Sequence, residues 1–303
     1  MRAVRGRGGA SGRALLALVL AALALASGTA TARPPGVNGT GQGAAIVLAT
    51  PYDGELRRAD LYVPPRLPSQ QPVPLLMVLH GLYLDPGTAE ASSGLDRVAD
   101  DEGVAVVYPQ GLNQSWNAGT CCDTSSRDGI DDVGFLAHVI DVVDSVQAVD
   151  RDRVYLAGFS NGGMMALRAV CARPDVFAAA ASVGGTLQTG CLSGAPSSAL
   201  LLHGLRDTTV PYAGQRYSTF LRTALTPVPT AALTLAQHAG CAAVRREVRA
   251  RFTVAEFRGC APGARVSLVT VPRLGHRWPS LRVDGVDGQA IVWDFLSQQR
   301  RLL

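Results

Sequence analysis

The chain has 303 residues, of which 47% are hydrophobic and 17% charged, a balance typical of a globular protein with room for one large α/β domain. Its formal net charge is +4, but four arginines lie within the first 13 residues, in a segment that we expect to be cleaved off. Cleavage would lower the net charge to 0, so the composition does not support a basic surface that selects nucleic acid.

The N-terminus has the pattern of a secretory signal peptide. Basic residues precede an apolar run at 14–26, and Ala30-Thr31-Ala32 follows it. The run is shorter than the ~20 residues of a membrane-spanning helix. We therefore predict a signal peptide at 1–32, a flexible segment at 33–44, one catalytic domain at 45–303, and secretion without stable membrane insertion. An uncleaved anchor is the alternative.

Alternating apolar runs and amphipathic segments indicate the fold class. Strands are expected at 58–63, 75–79, 104–108, 153–157, 178–183, 199–202 and 266–271, and helices at 89–101, 132–146, 163–170 and from 291 to 296. This alternation predicts an α/β fold with a mostly parallel sheet and helices on both faces. Residues 222–240 contain two prolines and interrupt the pattern, which we interpret as a small insertion over the site.

A G-x-S-x-G motif marks a nucleophile. Gly158-Phe159-Ser160-Asn161-Gly162 lies between a predicted strand and a predicted helix, where a sharp turn pushes the serine hydroxyl out of the sheet. The backbone N–H of Asn161 would lie at the helix N-terminus and favour a developing oxyanion. A second N–H donor is expected from the loop after the strand ending at Leu79, with Leu82 as the candidate.

A serine nucleophile needs a base, and the base needs an orienting acid. In α/β-hydrolases the chain order is serine, acid, histidine, which favours Asp207, after one buried strand, and His276, in a loop after the last. The other histidines are better explained as loop-shaping, core or surface residues: His80, His138, His203 and His238. The competing acids are Asp175, Asp284, Asp287 and Asp294.

The cysteines are Cys121, Cys122, Cys171, Cys191, Cys241 and Cys260. An even number in an exported chain predicts disulfides, and a zinc site lacks the usual ligand spacing. Sequence cannot choose among the possible connectivities. Our preferred pairs are Cys171–Cys191 and Cys241–Cys260, which leaves Cys121 and Cys122 as a vicinal bridge or as two thiols.

Two further groups have both a functional and a structural interpretation. Asp128, Asp131 and Asp132 could form a calcium loop, but the spacing of an EF-hand is missing, which favours capping of the helix that begins near Asp132. Trp116 and Trp278 could stack against an aromatic or sugar ring of a substrate, and packing in the core or a loop is the open alternative.

These motifs together resemble the secreted polyhydroxybutyrate depolymerase and feruloyl or acetylxylan esterase family of α/β-hydrolases. The resemblance covers roughly residues 45 to 300 and rests on His80-Gly81, Tyr108-Pro109-Gln110-Gly111, Trp116-Asn117-Ala118-Gly119, Cys121-Cys122, 131–136, 158–165, 203–207 and Gly275-His276-Arg277-Trp278-Pro279. It implies an α/β-hydrolase fold and ester hydrolysis with no metal and no cofactor. It also implies Ser160, Asp207 and His276 as the catalytic residues.

The sequence departs from the family at positions that border the substrate pockets. The segment Leu82-Tyr83-Leu84-Asp85-Pro86, the pair Arg273 and Leu274, and Ser280 stand where relatives often carry other residues. Substrate identity is therefore open among polyester oligomers and plant cell-wall esters, and no separate polymer-binding domain is visible. Acyl transfer to a sugar or lipid alcohol, or a non-catalytic secreted binding protein, remain alternatives.

Overall fold

The structure, a computed structural model, describes residues 31–32, 43–68, 71–191 and 194–302. The predicted signal peptide, apart from its last two residues, and nearly all of the predicted flexible segment lie outside these ranges. Within them, none of the helices combines the length and the apolar character needed to cross a membrane.

An eleven-stranded sheet forms the centre of the molecule, in the spatial order β1-β2-β3-β5-β4-β6-β7-β8-β13-β12-β11. The pairings from β5 to β13 are parallel, and the strands on either flank are antiparallel. The strands are β1 Thr31–Ala32, β2 Ala44–Tyr52, β3 Glu55–Val63, β4 Val73–Leu79, β5 Ala105–Pro109, β6 Val149–Phe159, β7 Ala179–Val183, β8 Ser198–Gly204, β9 Gln215–Ser218, β10 Thr223–Leu225, β11 Ala243–Val248, β12 Thr253–Arg258 and β13 Val266–Val271.

Helices cover both faces of this sheet. They are α1 Pro86–Ser93, α2 Asp96–Glu102, α3 Asp123–Arg127, α4 Asp132–Asp144, α5 Asn161–Ala172, α6 Val228–His238, α7 Leu281–Asp284 and α8 Gly288–Leu296, with a 3-10 turn at Leu112–Gln114. Strand β4 shows why two layers form: Leu75, Met77 and Leu79 enter the apolar cluster beneath α4, α5 and α6, whereas Leu76 and Val78 enter the one beneath α1, α2 and α8. The predicted fold class is confirmed.

Most predicted elements are present, and the differences have local causes. The helix expected at 89–101 is two helices, because Gly94 adopts a left-handed conformation with φ +60° and ends α1. Strands β11 and β12 were not predicted, since β11 is exposed along its whole length and has no apolar run. Helix α6 packs against β8 and β13, so the second half of 222–240 belongs to the helical layer, while β9 and β10 form a separate hairpin.

The three disulfides pair neighbouring segments. Cys171 bonds Cys191, Cys241 bonds Cys260, and Cys121 bonds its neighbour Cys122. Both preferred pairs are confirmed, and the vicinal alternative holds for the remaining two cysteines.

The acidic residues before α4 have structural partners. The Asp131 carboxylate accepts a hydrogen bond from the Gly134 N–H at 2.9 Å, which confirms the predicted helix cap. Asp132 is fully buried and pairs with buried Arg57 at 2.8 Å. Within the described ranges, no cluster of three or more His, Cys, Asp or Glu is arranged to hold a metal ion.

Candidate active site

Ser160 lies on a tight turn between β6 and α5. Its φ is +54°, in the left-handed region that a non-glycine residue adopts only when its surroundings impose it, and it is 5% exposed. A Cβ on Gly158 would collide with the backbone of Gly162, and a Cβ on Gly162 would collide with the carbonyl oxygens of Leu79 and His80. The two glycines of the motif are therefore required by close backbone packing around the serine.

Three of the predicted site residues meet at the carboxyl ends of parallel strands. The Ser160 hydroxyl lies 3.0 Å from His276 Nε2, and His276 Nδ1 lies 2.7 Å from Asp207 Oδ2. Asp207 follows β8 and His276 follows β13, and these two strands are neighbours. With Nδ1–H donating to the carboxylate, Nε2 is left to accept the serine proton, which is the arrangement that activates a serine nucleophile.

Asp207 is oriented by its own loop. Its Oδ1 accepts hydrogen bonds from the N–H groups of Thr209 and Val210 at 2.9 and 2.8 Å, so Oδ2 is directed to the histidine. Buried His203 donates from Nε2 to the Val210 carbonyl at 2.8 Å, and burial lowers the pKa of His203. His203 therefore stays neutral and supports the loop of the acid.

His80 plays a similar supporting role on the other side of Ser160. Its Nδ1 donates to the Gly81 carbonyl at 2.8 Å and its Nε2 accepts from the Gly111 N–H at 3.0 Å. Burial lowers the pKa of His80 to about 4, so the ring is neutral at pH 7. Both rings thus shape loops, as their positions at strand ends predict.

The loop after β4 reaches Ser160. A Cβ on Gly81 would lie 3.5 Å from the Ser160 Cβ, so the chain passes directly beside the nucleophile. Within the part of the chain that the structure describes, the N–H groups of Leu82 and Asn161 have no hydrogen-bond acceptor. Two free backbone donors next to a serine are the components of an oxyanion hole.

Trp116, one of the two predicted substrate contacts, lies in the interior of the protein. Its ring is completely buried and donates from Nε1 to the His80 carbonyl at 3.0 Å. Its backbone N–H and carbonyl bond the Asn161 side chain at 2.8 and 3.0 Å. Because the ring has no exposed surface, its position favours the packing alternative over stacking on a substrate.

Trp278 is also mostly buried. It is 8% exposed and packs in the apolar cluster beneath α8 together with Val286 and Trp293. Most of its ring surface is therefore taken up by the core, and its indole N–H has no acceptor within the described ranges.

Three aromatic side chains border the site, of which Phe159 is partly buried and Tyr83 and Phe220 are exposed. The Phe159 ring lies 4.7 Å from the His276 ring. Tyr83, directly after Leu82, is 50% exposed and contacts Phe220, 55% exposed, with ring centroids 6.2 Å apart. Phe220 lies in the turn between β9 and β10. Only tertiary contact reveals this pair, because the two residues lie far apart in sequence.

The hairpin that carries Phe220 is tied to the loop behind Ser160. Gln188 donates to the Ala224 carbonyl at 2.7 Å and accepts from the Thr226 N–H at 3.0 Å. Thr186 donates to the Thr226 carbonyl at 2.9 Å. The β9–β10 hairpin is therefore anchored to the segment that packs against the nucleophile.

Comparison with known families supplies the class of reaction. Residues 58–216, more than half of the chain, match the family described as "Esterase PHB depolymerase". The chain belongs to this family. It is a carboxylic ester hydrolase with an α/β-hydrolase fold.

The relatives span bacterial and fungal proteins. "Putative esterase NocK" of Nocardia uniformis subsp. tsuyamanensis is 33% identical over 85% of this chain and 80% of its own length. Feruloyl esterase D of Neurospora crassa is 26% identical over 86% of this chain and 90% of its own length. The solved structure of acetyl xylan esterase from Aspergillus awamori has a TM-score of 0.57, with 15% identity over 80% of this chain and 94% of that one, and supports the fold alone.

Proposed function

We propose that the protein is a secreted serine esterase in which Ser160 is the nucleophile, His276 the base and Asp207 the orienting acid. The observation that carries this proposal is the position of His276, whose two ring nitrogens lie 3.0 Å from the Ser160 hydroxyl and 2.7 Å from the Asp207 carboxylate. The free N–H groups of Leu82 and Asn161 supply the oxyanion hole.

The reaction proceeds in two halves. His276 takes the Ser160 proton as the oxygen attacks the ester carbonyl, and the two N–H donors stabilise the tetrahedral oxyanion. The protonated His276, stabilised by Asp207, then gives its proton to the departing alcohol and leaves an acyl-serine. His276 next deprotonates a water molecule that attacks the acyl-serine, and the acid is released with Ser160 restored.

The substrate class is an ester of the feruloyl, acetyl or 3-hydroxybutyrate oligomer type. Feruloyl and acetylxylan esterases stand among the chain's relatives, and the matching family includes polyhydroxybutyrate depolymerases. The exposed rings of Tyr83 and Phe220 beside the Leu82 donor offer apolar surface to such a group.

Export is the second part of the proposal. Three disulfides in one chain favour an oxidising compartment. The signal-peptide pattern at residues 1–32 would direct the chain to the secretory pathway. We further propose a single catalytic domain at 45–303, which takes an ester as its partner and binds no nucleic acid.

The test is hydrolysis of short p-nitrophenyl esters, methyl ferulate and a soluble 3-hydroxybutyrate oligomer by the mature wild type and by Ser160→Ala. The proposal expects cleavage of at least one ester by the wild type and a fall in kcat of several orders of magnitude in the variant. Equal rates in both proteins, or no cleavage by folded wild type, would contradict it. In the second case acyl transfer or pure binding becomes the better account.

A further inference from the structure

A cavity of about 420 Å³ lies beside the loop that carries His276. The turn between β11 and β12, the segment after β13 and helix α7 form its walls. Three arginines line it: Arg251, Arg273 and Arg277.

The charge of this cavity is positive and mostly uncompensated. Among the described residues that line it, Asp284 is the single acidic one, and it accepts a hydrogen bond from the Arg277 guanidinium and another, at 3.0 Å, from the Ser280 N–H. Within the described ranges, Arg251 and Arg273 have no acidic partner. Two exposed guanidinium groups that face one cavity without counter-charges form a ready receptor for an anion, because each offers a planar fork of N–H donors to a carboxylate.

The cavity and the proposed base share one loop. Arg273 and Arg277 flank His276 in the sequence, and the Leu274 carbonyl accepts the Arg206 N–H at 3.0 Å, which ties this loop to the one bearing Asp207. His276 is the group that protonates the departing alcohol. An anion held in the cavity therefore belongs on the alcohol side of the ester rather than beside the Leu82 donor.

We propose that this cavity binds a carboxylate carried by the alcohol part of the substrate. The natural ester would then be attached to an acidic alcohol, such as a saccharide that contains uronic acid. This inference deepens the proposed esterase function and rests on it.

The test uses matched esters that differ in charge. The alcohol-side pair is 4-acetoxybenzoate and 4-acetoxybenzamide, and the acyl-side pair is monomethyl succinate and methyl succinamate. For each pair, the ratio of kcat/KM for the anionic ester to that for the neutral ester is measured. The proteins compared are the wild type, the double variant Arg251→Ala/Arg273→Ala, and the control Arg245→Ala/Arg246→Ala, which removes the same charge from the exposed strand β11.

We expect the alcohol-side ratio to fall about five- to tenfold in the double variant and to stay unchanged in the control, since two exposed charge-assisted contacts are lost. The wild-type ratio should also fall with rising salt. An unchanged ratio in the double variant, with both esters hydrolysed, would overturn the anion site and leave the esterase intact. A change confined to the succinate pair would overturn the assignment to the alcohol side.

A binding measurement without turnover tests the anion site separately from the proposed esterase function. In Ser160→Ala, titration with 4-hydroxybenzoate should give a Kd that rises about five- to tenfold when Arg251→Ala and Arg273→Ala are added. No binding, or equal binding with and without the arginines, would overturn the anion site whether or not the wild type hydrolyses any ester. Failure of the wild type to hydrolyse the neutral esters would contradict the proposed function alone.

Discussion

The side chain of Asn161 and the backbone of Trp116 exchange two hydrogen bonds, with the Trp116 N–H donating to Asn161 Oδ1 at 2.8 Å and Asn161 Nδ2 donating to the Trp116 carbonyl at 3.0 Å. Both groups are fully buried. Asn161 follows the proposed nucleophile and supplies a proposed oxyanion donor, so this pair fixes the first turn of α5 against the loop before the vicinal disulfide.

Replacing Asn161 by Ala should lower both stability and activity. The buried Trp116 N–H loses its acceptor, at a cost of about 1–3 kcal/mol in the free energy of unfolding, while the Trp116 carbonyl keeps its hydrogen bond from the Cys122 N–H. We also expect kcat to fall about tenfold or more, because the N–H of residue 161 is no longer held beside Ser160. Urea unfolding and kcat measure the two effects. Gln237→Ala, on the exposed side of α6, is the control, and equal behaviour of the two variants would contradict the role of Asn161.

The second glycine of the motif should tolerate no side chain. A methyl group at Gly162 meets the carbonyl oxygens of Leu79 and His80, and backbone cannot move aside without displacing β4. Gly162→Ala is expected to destabilise the fold by about 1–3 kcal/mol and to abolish most activity. Gly190→Ala is a matched control, because a Cβ on Gly190 would have no other atom within 4 Å. A Gly162→Ala protein with normal melting temperature and activity would refute the packing argument.

The buried pair of Arg57 and Asp132 should be costly to break on one side only. Arg57 is 2% exposed and Asp132 is fully buried, and Asp132 Oδ2 also accepts the Asn117 N–H at 2.8 Å. Arg57→Met or Asp132→Leu alone leaves a buried charge unpaired, which costs about 3–5 kcal/mol. The double variant should lose clearly less free energy of unfolding than the sum of the losses in the two single variants.

A double-mutant cycle from denaturant unfolding measures this coupling. Because the Asn117 N–H loses its acceptor whenever Asp132 is replaced, the double variant should remain somewhat less stable than the wild type. Strict additivity of the two single variants would mean that the pair does not couple.

Asp96 should make stability depend on pH. Burial, followed by the proximity of Glu90 and Asp100, raises the pKa of Asp96 to about 7, although the Tyr108 hydroxyl donates to it at 2.6 Å and opposes the rise. The folded state thus holds a proton that the unfolded state releases near pH 4. The stabilising contribution of protonated Asp96 is therefore fully present below about pH 4 and is lost as the pH rises towards 7.

Asp96→Asn, a neutral mimic of the protonated acid, should remove this dependence. The difference in unfolding free energy between the variant and the wild type should grow by about 2 kcal/mol from pH 4.5 to pH 8, a value reduced for partial exposure. Urea titrations at both pH values measure it, and a difference that does not change with pH would contradict the assignment.

The sequence predicts the central sheet well because its strands are buried on both faces and read as continuous apolar runs. Ser160, Asp207 and His276 could be selected for the same reason, since each follows such a run and the chain order narrows the choice. Edge strands such as β11 cannot be predicted in this way, because an exposed strand has no characteristic apolar pattern.

Side-chain partners across the fold were not accessible to sequence reasoning. The burial of Trp116 depends on Asn161, 45 residues away, and the contact between Tyr83 and Phe220 depends on where a hairpin turns. Arg251 joins Arg273 only because β12 and β13 are neighbours in the sheet. The local amino-acid sequence carries no information on which of these distant residues come into contact.

The most direct test of the central claim is covalent labelling by a fluorophosphonate, which is attacked by an activated serine and leaves a stable adduct. Peptide mass spectrometry should place one label per chain on Ser160, and His276→Ala should slow labelling by about 10³-fold or more. Labelling of another serine, no labelling of folded wild type, or an equal rate in His276→Ala would contradict the catalytic assignment.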